Sequence, residues 1–341
     1  MLGLDGTGGG PDEKGAAIAV APFSRLGSLF LLPRSVHARR PDWKPHSRIT
    51  ALTDMWRIAQ VRAMATKQNG LFCMTFDLWW LTYPVLGAVV GFFAGLLGVG
   101  GGGIMVPILT TLFLAQGFPL DQVVHMALGT SMAAIVLTSV SSLRAHHAHG
   151  AVRWDVVRRI TPGILIGTFG ATFVASRVDT AALAIFFAVF MAYVSIQMLL
   201  NIKPKPSRDL PGTAGMTVAG LSIGGVSALV AIGGGSLSVP FMTWCNVKVQ
   251  NAIGTSAAIG LPIALAGTVG YLVNGWNVAG TPALTLGYIH LPALILVSLV
   301  SMLMAPMGAG LAHRLPVAML KKIFAGLLMA LCAKMLHSIF G

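Results

Sequence analysis

The sequence predicts an all-α polytopic membrane protein, with about eight transmembrane helices in two repeated halves that contain short, glycine-broken helices. Three observations predict this class. Of the 341 residues, 55% are hydrophobic and only 10% are charged, whereas a soluble domain carries about 25% charged residues. Long apolar runs alternate with short polar gaps from Leu78 onward. The same part of the chain also repeats its own motifs.

Residues 1–77 have a different composition from the rest of the chain. The stretch from Gly3 to Gly15 is rich in glycine, and the stretch from Pro33 to Pro45 mixes prolines with basic residues. Such a composition buries little apolar surface and breaks regular structure. We therefore expect residues 1–77 to form a basic, largely disordered cytoplasmic tail.

The apolar runs define the predicted transmembrane helices. Each is close to the ~20 residues that cross a bilayer. They lie at 78–98, 123–143, 160–176, 181–201, 214–232, 252–273, 286–308 and 317–338. Two further apolar pieces, 104–115 and 237–244, are too short to cross comfortably, and each follows a glycine cluster. We place the first transmembrane repeat at 78–201, a basic cytoplasmic linker at 202–213 and the second repeat at 214–341.

Two pairs of motifs carry the internal repeat. Residues 91–109 line up without a gap on residues 224–242, which superimposes the two glycine clusters and the Val-Pro pair after each. Downstream, ALGTS at 127–131 matches AIGTS at 252–256. Repeated halves with short, glycine- or proline-interrupted apolar segments indicate a transporter with a central binding site.

The positive charges orient the predicted helices. Arg144 and Arg153 follow the second long run, whereas Lys203 and Arg208 follow the fourth. Basic loops favour the cytoplasmic side. If the short pieces turn back without crossing, both loops and the tail lie inside. This interpretation predicts eight crossings, parallel halves, both termini inside and glycine motifs that are approached from the outer face.

The glycine clusters are the candidate binding elements. Glycine costs ~1 kcal/mol relative to alanine inside a helix, so several together should open it. The short helix that follows would present free N–H groups and the positive end of its dipole to an anion. The hydroxyls of the two GTS motifs would add donors. The predicted substrate-binding residues are Gly100, Gly101, Gly102, Thr130, Ser131, Gly233, Gly234, Gly235, Thr255 and Ser256.

The glycine clusters, the motif hydroxyls and the histidines each also have a purely structural interpretation. Clustered glycines also let helices pack closely without any ligand. Serine and threonine hydroxyls in membrane helices also bond to their own backbone or to neighbouring helices. His146, His147 and His149 are interpreted as part of a solvated interfacial loop, with a metal or proton site as the alternative.

Missing groups exclude several chemistries. No Asp or Glu falls inside an apolar run, so the usual carboxylate proton relay is absent. The sequence contains no phosphate-binding loop, no paired carboxylates and no convincing Ser–His–Asp set. Its three cysteines lie far apart and lack metal-ligand spacing. We expect no enzyme activity, no cofactor, no metal and no nucleic-acid partner.

These motifs resemble one known family. GLLGVGGGGIMVPIL at 95–109, its echo AIGGGSLSVPFM at 231–242 and the GTS motifs are similar to those of the sulfite exporter TauE/SafE family. The basic stretch SSLRAHHAHGAVRWD at 141–155 resembles that family's loop after the early helices. The resemblance implies a multi-pass permease that moves sulfite or another small sulfur-containing or organic anion.

The predicted function is therefore a secondary transporter in the inner (cytoplasmic) membrane, whose partners are a small anion and the lipid bilayer. Export is favoured, because a negative-inside potential drives an anion outward by ~2.3 kcal/mol per charge per 100 mV. Two alternatives stay open at this point. One is a non-transporting membrane assembly factor, and the other is an intramembrane enzyme of sulfur metabolism.

Overall fold

The computed structural model describes residues 80–95, 101–200, 207–312 and 317–340. Within these ranges the chain forms ten helices and one two-stranded β-hairpin. The helices of the first half are α1 (Trp80–Gly95), α2 (Gly102–Ala115), α3 (Val123–Ala148), α4 (Trp154–Ala175) and α5 (Thr180–Leu199). Those of the second half are α6 (Thr213–Val230), α7 (Gly235–Trp244), α8 (Val249–Gly275), α9 (Leu291–Ala312) and α10 (Val317–Phe340). Strands β1 (Thr285–Leu286) and β2 (Ile289–His290) pair antiparallel between α8 and α9.

The predicted class of an all-helical membrane protein is confirmed. Six of the described helices (α3, α5, α6, α8, α9 and α10) contain a segment long and apolar enough to cross a membrane. α1 and α2 are shorter apolar helices. The expected count of eight crossings is not confirmed. The tail expected at 1–77 lies outside the described residues, and so does most of the linker expected at 202–213.

Each short helix turns back along the helix before it. The Gln116 side-chain nitrogen, just after α2, lies 2.7 Å from the Tyr83 hydroxyl near the start of α1. In the second half, the N–H of Ser207 donates to the carbonyl of Trp244 at 3.2 Å, so α7 ends beside the start of α6. The pairs α1–α2 and α6–α7 are therefore helical hairpins, and the chain leaves each hairpin at the end where it entered.

The expectation of parallel halves is wrong. The helices that carry the two GTS motifs, α3 and α8, run antiparallel. A Cβ on Gly129, early in α3, would lie 3.1 Å from Cβ of Tyr271, late in α8. A Cβ on Gly260, in the first half of α8, would lie 3.3 Å from Oγ of Ser139, in the second half of α3. Parallel halves would run these helices in the same direction, but the helix that carries the second GTS motif is inverted relative to the helix that carries the first.

The helix ends gather at two opposite ends of the bundle. We call the end that carries Arg153 and Arg208 the basic end, and the end that carries β1 and β2 the hairpin end. At the basic end, the N–H of Arg153 donates to Thr255 Oγ1 at 3.0 Å, which joins the start of α4 to the start of α8. Arg208 lies there too, with its guanidinium 5.0 Å from the Trp244 ring centroid. At the hairpin end, the N–H of His290 in β2 donates to Thr130 Oγ1 at 3.0 Å, near the start of α3.

The positions of α1 and α10 differ from the expectation that both ends of the helical region lie beside the basic loops. α1 begins at the hairpin end, because Tyr83 contacts the end of α2 there. α9 starts at the hairpin end directly after β2, so α10, which follows it after a short gap, leads back to that end.

Glycines let two pairs of helices approach closely. A Cβ on Gly224 of α6 would lie 2.6 Å from the carbonyl oxygen of Ile164 in α4. A Cβ on Gly87 of α1 would lie 2.6 Å from the carbonyl oxygen of Val297 in α9. Lipid provides no hydrophobic drive between helices, so backbone approach through small residues is a main source of packing energy in a membrane.

We predict that the basic end and the hairpin end lie on opposite sides of the membrane. Single cysteines in place of Arg144 and Arg208 should react with an impermeant thiol reagent from one side. A cysteine in place of Leu284, which is 61% exposed at the hairpin end, should react only from the other side. The background needs Cys73, Cys245 and Cys332 replaced by serine. Labelling of all three positions from the same side would contradict the inverted arrangement.

Candidate functional site

The two glycine breaks meet at mid-height of the bundle. A Cβ on Gly102 would contact the carbonyl oxygen of Ala231, at the end of α6, and also Ile135 at the middle of α3. On the other side, a Cβ on Gly260 of α8 would lie 2.8 Å from the carbonyl oxygen of Gly233. The breaks are thus enclosed by protein, as non-helical backbone at membrane depth requires.

Backbone conformation explains why glycine occupies the second break. Gly234 precedes α7 with a φ of 80°, a left-handed conformation that glycine adopts without steric cost. Ala231 also has a positive φ, at 45°, which is uncommon for a residue with a Cβ. Together they reverse the chain so that α7 starts inside the bundle and runs to the basic end.

Both short helices direct free backbone N–H groups at this centre. In α7 the first helical hydrogen bonds run from Leu237 and Ser238 to the carbonyl of Gly234. The N–H groups of Gly235 and Ser236 precede that turn and have no helical acceptor, as at any helix start. In α2 the first bonds run from Ile104 and Met105 to Gly101. The positive dipole ends of two helices therefore lie close together.

A small cavity lies beside the breaks. Its volume is about 10 Å³, which is room for about one water molecule. The side chains of α5 and α10 close it from the outside. Its lining residues are Gly103, Met191, Val194, Ile232, Ser236, Phe324 and Leu328. The Ser236 hydroxyl is buried and has no hydrogen-bond partner among the described residues.

A hydrogen-bonded chain fixes the second break to α8. The Ser238 hydroxyl lies 2.7 Å from the carbonyl oxygen of Gly234 and 2.8 Å from the Ser256 hydroxyl. The matching positions of the first half are Met105 and Ser131. Because Met105 offers no hydroxyl, Ser131 is buried without a partner in the described part of the chain.

The two motif threonines already accept backbone hydrogen bonds. Thr130 accepts from His290 and Thr255 accepts from Arg153, both at 3.0 Å. These bonds use a lone pair of each hydroxyl oxygen and leave its proton free to donate. The bonds hold α3 against β2 and α8 against the start of α4, so each threonine has a structural role. Whether the hydroxyls also bind substrate stays a prediction.

The structure brings some of the predicted site residues together and separates others. Gly102, Gly233, Gly234 and Gly235 lie at the breaks, with Ser256 joined to them through Ser238. Thr130 and Thr255 lie toward opposite ends of the bundle, and Gly101 packs on Val90. Gly100 lies outside the described residues.

Sequence reasoning missed two residues at the centre, namely Ser236 and Ser238. The signal for them is their position in the first turn after a glycine cluster, where a helix start exposes its donors.

The histidine segment was expected to be a loop, but His146 and His147 lie in the last turn of α3 and His149 follows it directly. The Trp154 indole N–H donates to His147 Nδ1 at 3.3 Å, and His149 Nδ1 lies 2.7 Å from the carbonyl oxygen of Ala145. Within the described ranges, no group of three or more His, Cys, Asp or Glu residues is arranged to hold a metal ion.

Comparison with known proteins identifies a family and several relatives that this chain is similar to. The sequence profile described as sulfite exporter TauE/SafE matches residues 83–335. A Haemophilus influenzae protein named as a probable membrane transporter protein is 36% identical over 256 residues, which cover 74% of this chain and 96% of that protein. A protein of the same description from Xylella fastidiosa is 32% identical over 206 residues, 57% of this chain and 75% of that protein.

A third relative comes from Methanocaldococcus jannaschii and is also named as a probable membrane transporter protein. It is 26% identical over 223 residues, which cover 63% of this chain and 79% of that protein. No solved structure matches this chain. The family match covers well over half of the sequence. The chain therefore belongs to the sulfite exporter TauE/SafE family and is a multi-pass membrane transporter.

Proposed function

We propose that this transporter is a secondary permease of the inner (cytoplasmic) membrane that exports a small anion, such as sulfite or an organosulfur or organic acid. Its binding site is the point where the two glycine breaks meet. The single observation that carries the proposal is the convergence of the N-termini of α2 and α7 beside the buried hydroxyl of Ser236, which has no partner in the described part of the chain.

This chemistry suits an oxoanion better than a cation. Free N–H groups, a helix-dipole end and a hydroxyl are all donors, and together they replace the hydration of an anion without a fixed positive charge. A cation would instead need carboxylates or several carbonyl oxygens. None of the residues that line the central cavity is acidic or basic.

The inverted arrangement supplies a mechanism. The contacts of one half recur in the other: Gly224 packs on Ile164 as Gly91 packs on Ser301. We propose that the halves are inverted repeats, which would rock around the central site so that it opens first to one side and then to the other. The cavity of about 10 Å³ is too small for an oxoanion, so the described conformation would be a closed stage of this cycle.

Charge supports the proposed direction. The basic end carries Arg144, Arg153 and Arg208, and the positive-inside rule assigns such an end to the cytoplasm. Positive charge there would raise the local concentration of anions at the inner opening. The membrane potential would then drive each bound anion outward without a coupled cation.

The first prediction here concerns transport itself. In proteoliposomes loaded with sulfite, sulfate, thiosulfate, sulfoacetate or acetate, the protein should accelerate efflux of at least one of these anions. An inside-negative potassium diffusion potential should raise the rate, because outward movement of an anion carries charge down that potential. Fluxes that equal those of protein-free liposomes for the whole panel would overturn the proposed function.

The second prediction tests the site with two mild substitutions. A Cβ on Gly103 would meet only flexible side-chain ends, Met191 Cε at 2.7 Å and Leu328 Cδ2 at 3.4 Å. Gly103→Ala should therefore fold but fill the cavity and reduce transport strongly. Ser236→Ala removes one neutral hydrogen bond and should raise the half-saturating anion concentration by about 2- to 12-fold.

A matched control separates site effects from folding effects. In α4, a Cβ on Gly170 would meet nothing within 4 Å, so Gly170→Ala should keep wild-type transport and melting temperature. Normal anion affinity in folded Gly103→Ala and Ser236→Ala proteins would remove the breaks from the binding site. Gly101→Val and Gly234→Val are less informative, because the first would contact Val90 and the second would strain a left-handed backbone.

A further inference from the structure

A second and larger cavity opens at the hairpin end, far from the glycine breaks. We call it the vestibule; its volume is about 450 Å³, within the ~300–1,000 Å³ that small-molecule sites occupy. Its walls are the start of α1, the turn after α2 and the segment around the β-hairpin. The lining residues are Trp80, Tyr83, Ala115, Gln116, Gly117, Phe118, Pro119, Gly280, Pro282, Ala283, Leu284, His290 and Pro292.

The walls that the described residues form are apolar and aromatic, and they carry no charge. Three aromatic side chains, three prolines and Leu284 supply most of the lining, and none of the lining residues is Asp, Glu, Lys or Arg. The Tyr83 hydroxyl and the Gln116 amide are hydrogen-bonded to each other. A fully ionised inorganic anion would lose its hydration here without a compensating charge.

His290 is the imidazole of this wall, which also includes the Trp80 indole. Its side chain is 94% buried, with 6% of its surface exposed, and its ring centroid lies 5.3 Å from that of Phe118 and 5.4 Å from that of Phe113. The N–H of Ala293 points at Nδ1 at 3.4 Å, so the proton of a neutral ring sits on Nε2. Nε2 has no partner among the described residues. Burial lowers the pKa of His290 to about 4, which keeps the ring neutral near pH 7.

We infer that the vestibule is a binding site for a small aromatic molecule with one hydrogen-bond acceptor. The acceptor would take the Nε2–H of His290, and the ring would lie against the aromatic and proline walls. Because no lining residue is cationic, the preferred ligand is uncharged. This site is separate from the proposed anion site and does not depend on the proposed transport function.

His290 also connects the vestibule to a motif of the family. While its imidazole lines the vestibule, its backbone N–H holds Thr130 at 3.0 Å. β2 and the start of α3 are therefore joined at the residue that a vestibule ligand would contact.

Direct binding tests the proposal on the full chain in lipid nanodiscs. Benzamide, benzoate and acetamide are titrated by calorimetry, with empty nanodiscs as the blank. Benzamide should bind at one site per chain, and acetamide, which has the acceptor without the ring, should show no binding. Benzoate should bind no more tightly than benzamide, because no cation in the wall compensates its lost hydration.

Variants locate the binding. Ala115→Trp should abolish benzamide binding, because the new side chain fills the vestibule, whereas Ala182→Trp, at an exposed position of α5, should leave it unchanged. His290→Phe keeps the aromatic ring but removes the donor, and it should weaken binding by about 2- to 12-fold.

Two results would overturn the inference. Benzamide binding that is equal in Ala115→Trp and the unaltered chain would show that the molecule partitions into lipid or binds elsewhere. Benzoate that binds more than tenfold tighter than benzamide would show a cationic site. Either result leaves the transport proposal untouched, because that proposal is tested by anion flux.

Discussion

The whole architecture depends on one constraint, which is that non-helical backbone inside a membrane must be enclosed by protein. Lipid offers no hydrogen-bond partner, so each exposed peptide group would cost several kcal/mol. The two breaks satisfy this constraint together: Gly102 packs on the carbonyl of Ala231, and Gly233 packs on Gly260 of α8. α7, which starts near mid-depth, needs only 10 residues, about 15 Å, to reach the basic end.

The two breaks are similar in path but differ in how they are held. A chain of hydroxyls ties the second break to α8 through Ser238 and Ser256. At the first break Met105 replaces the serine, and the local contacts are apolar ones with Met191 and Leu328. A hydrogen bond fixes distance and direction, whereas methionine and leucine contacts tolerate small shifts. The second break is thus the more rigidly positioned of the two.

Sequence alone predicted the long helices and the two short pieces, because length and apolar composition dominate in a membrane. It placed the start of the third long run at 160, but α4 begins at Trp154 and contains Arg158 and Arg159 in its second turn. Long basic side chains can extend from a helix end toward water, so charge does not by itself end a helix. The direction of the halves was missed because the apolar runs that became α1 and α6 were counted as complete crossings. Each instead forms a hairpin with the short helix after it and returns the chain to the end where it entered, as the contact of Tyr83 with Gln116 shows for α1. The bonds of Thr130 and Thr255 were also out of reach, because their partners lie 160 and 102 residues away along the chain.

These two threonine bonds show what the inverted arrangement fixes and what it leaves free. At both ends the bond uses a backbone N–H, so any side chain except proline satisfies it. The basic end places Arg153 at this point, paired with Asp155 at 2.6 Å and well exposed. The hairpin end places His290 there, buried among aromatic rings. The same backbone contact therefore presents a charged pair at one end and a neutral donor at the other. Equivalent backbone geometry at the two ends thus coexists with different chemistry.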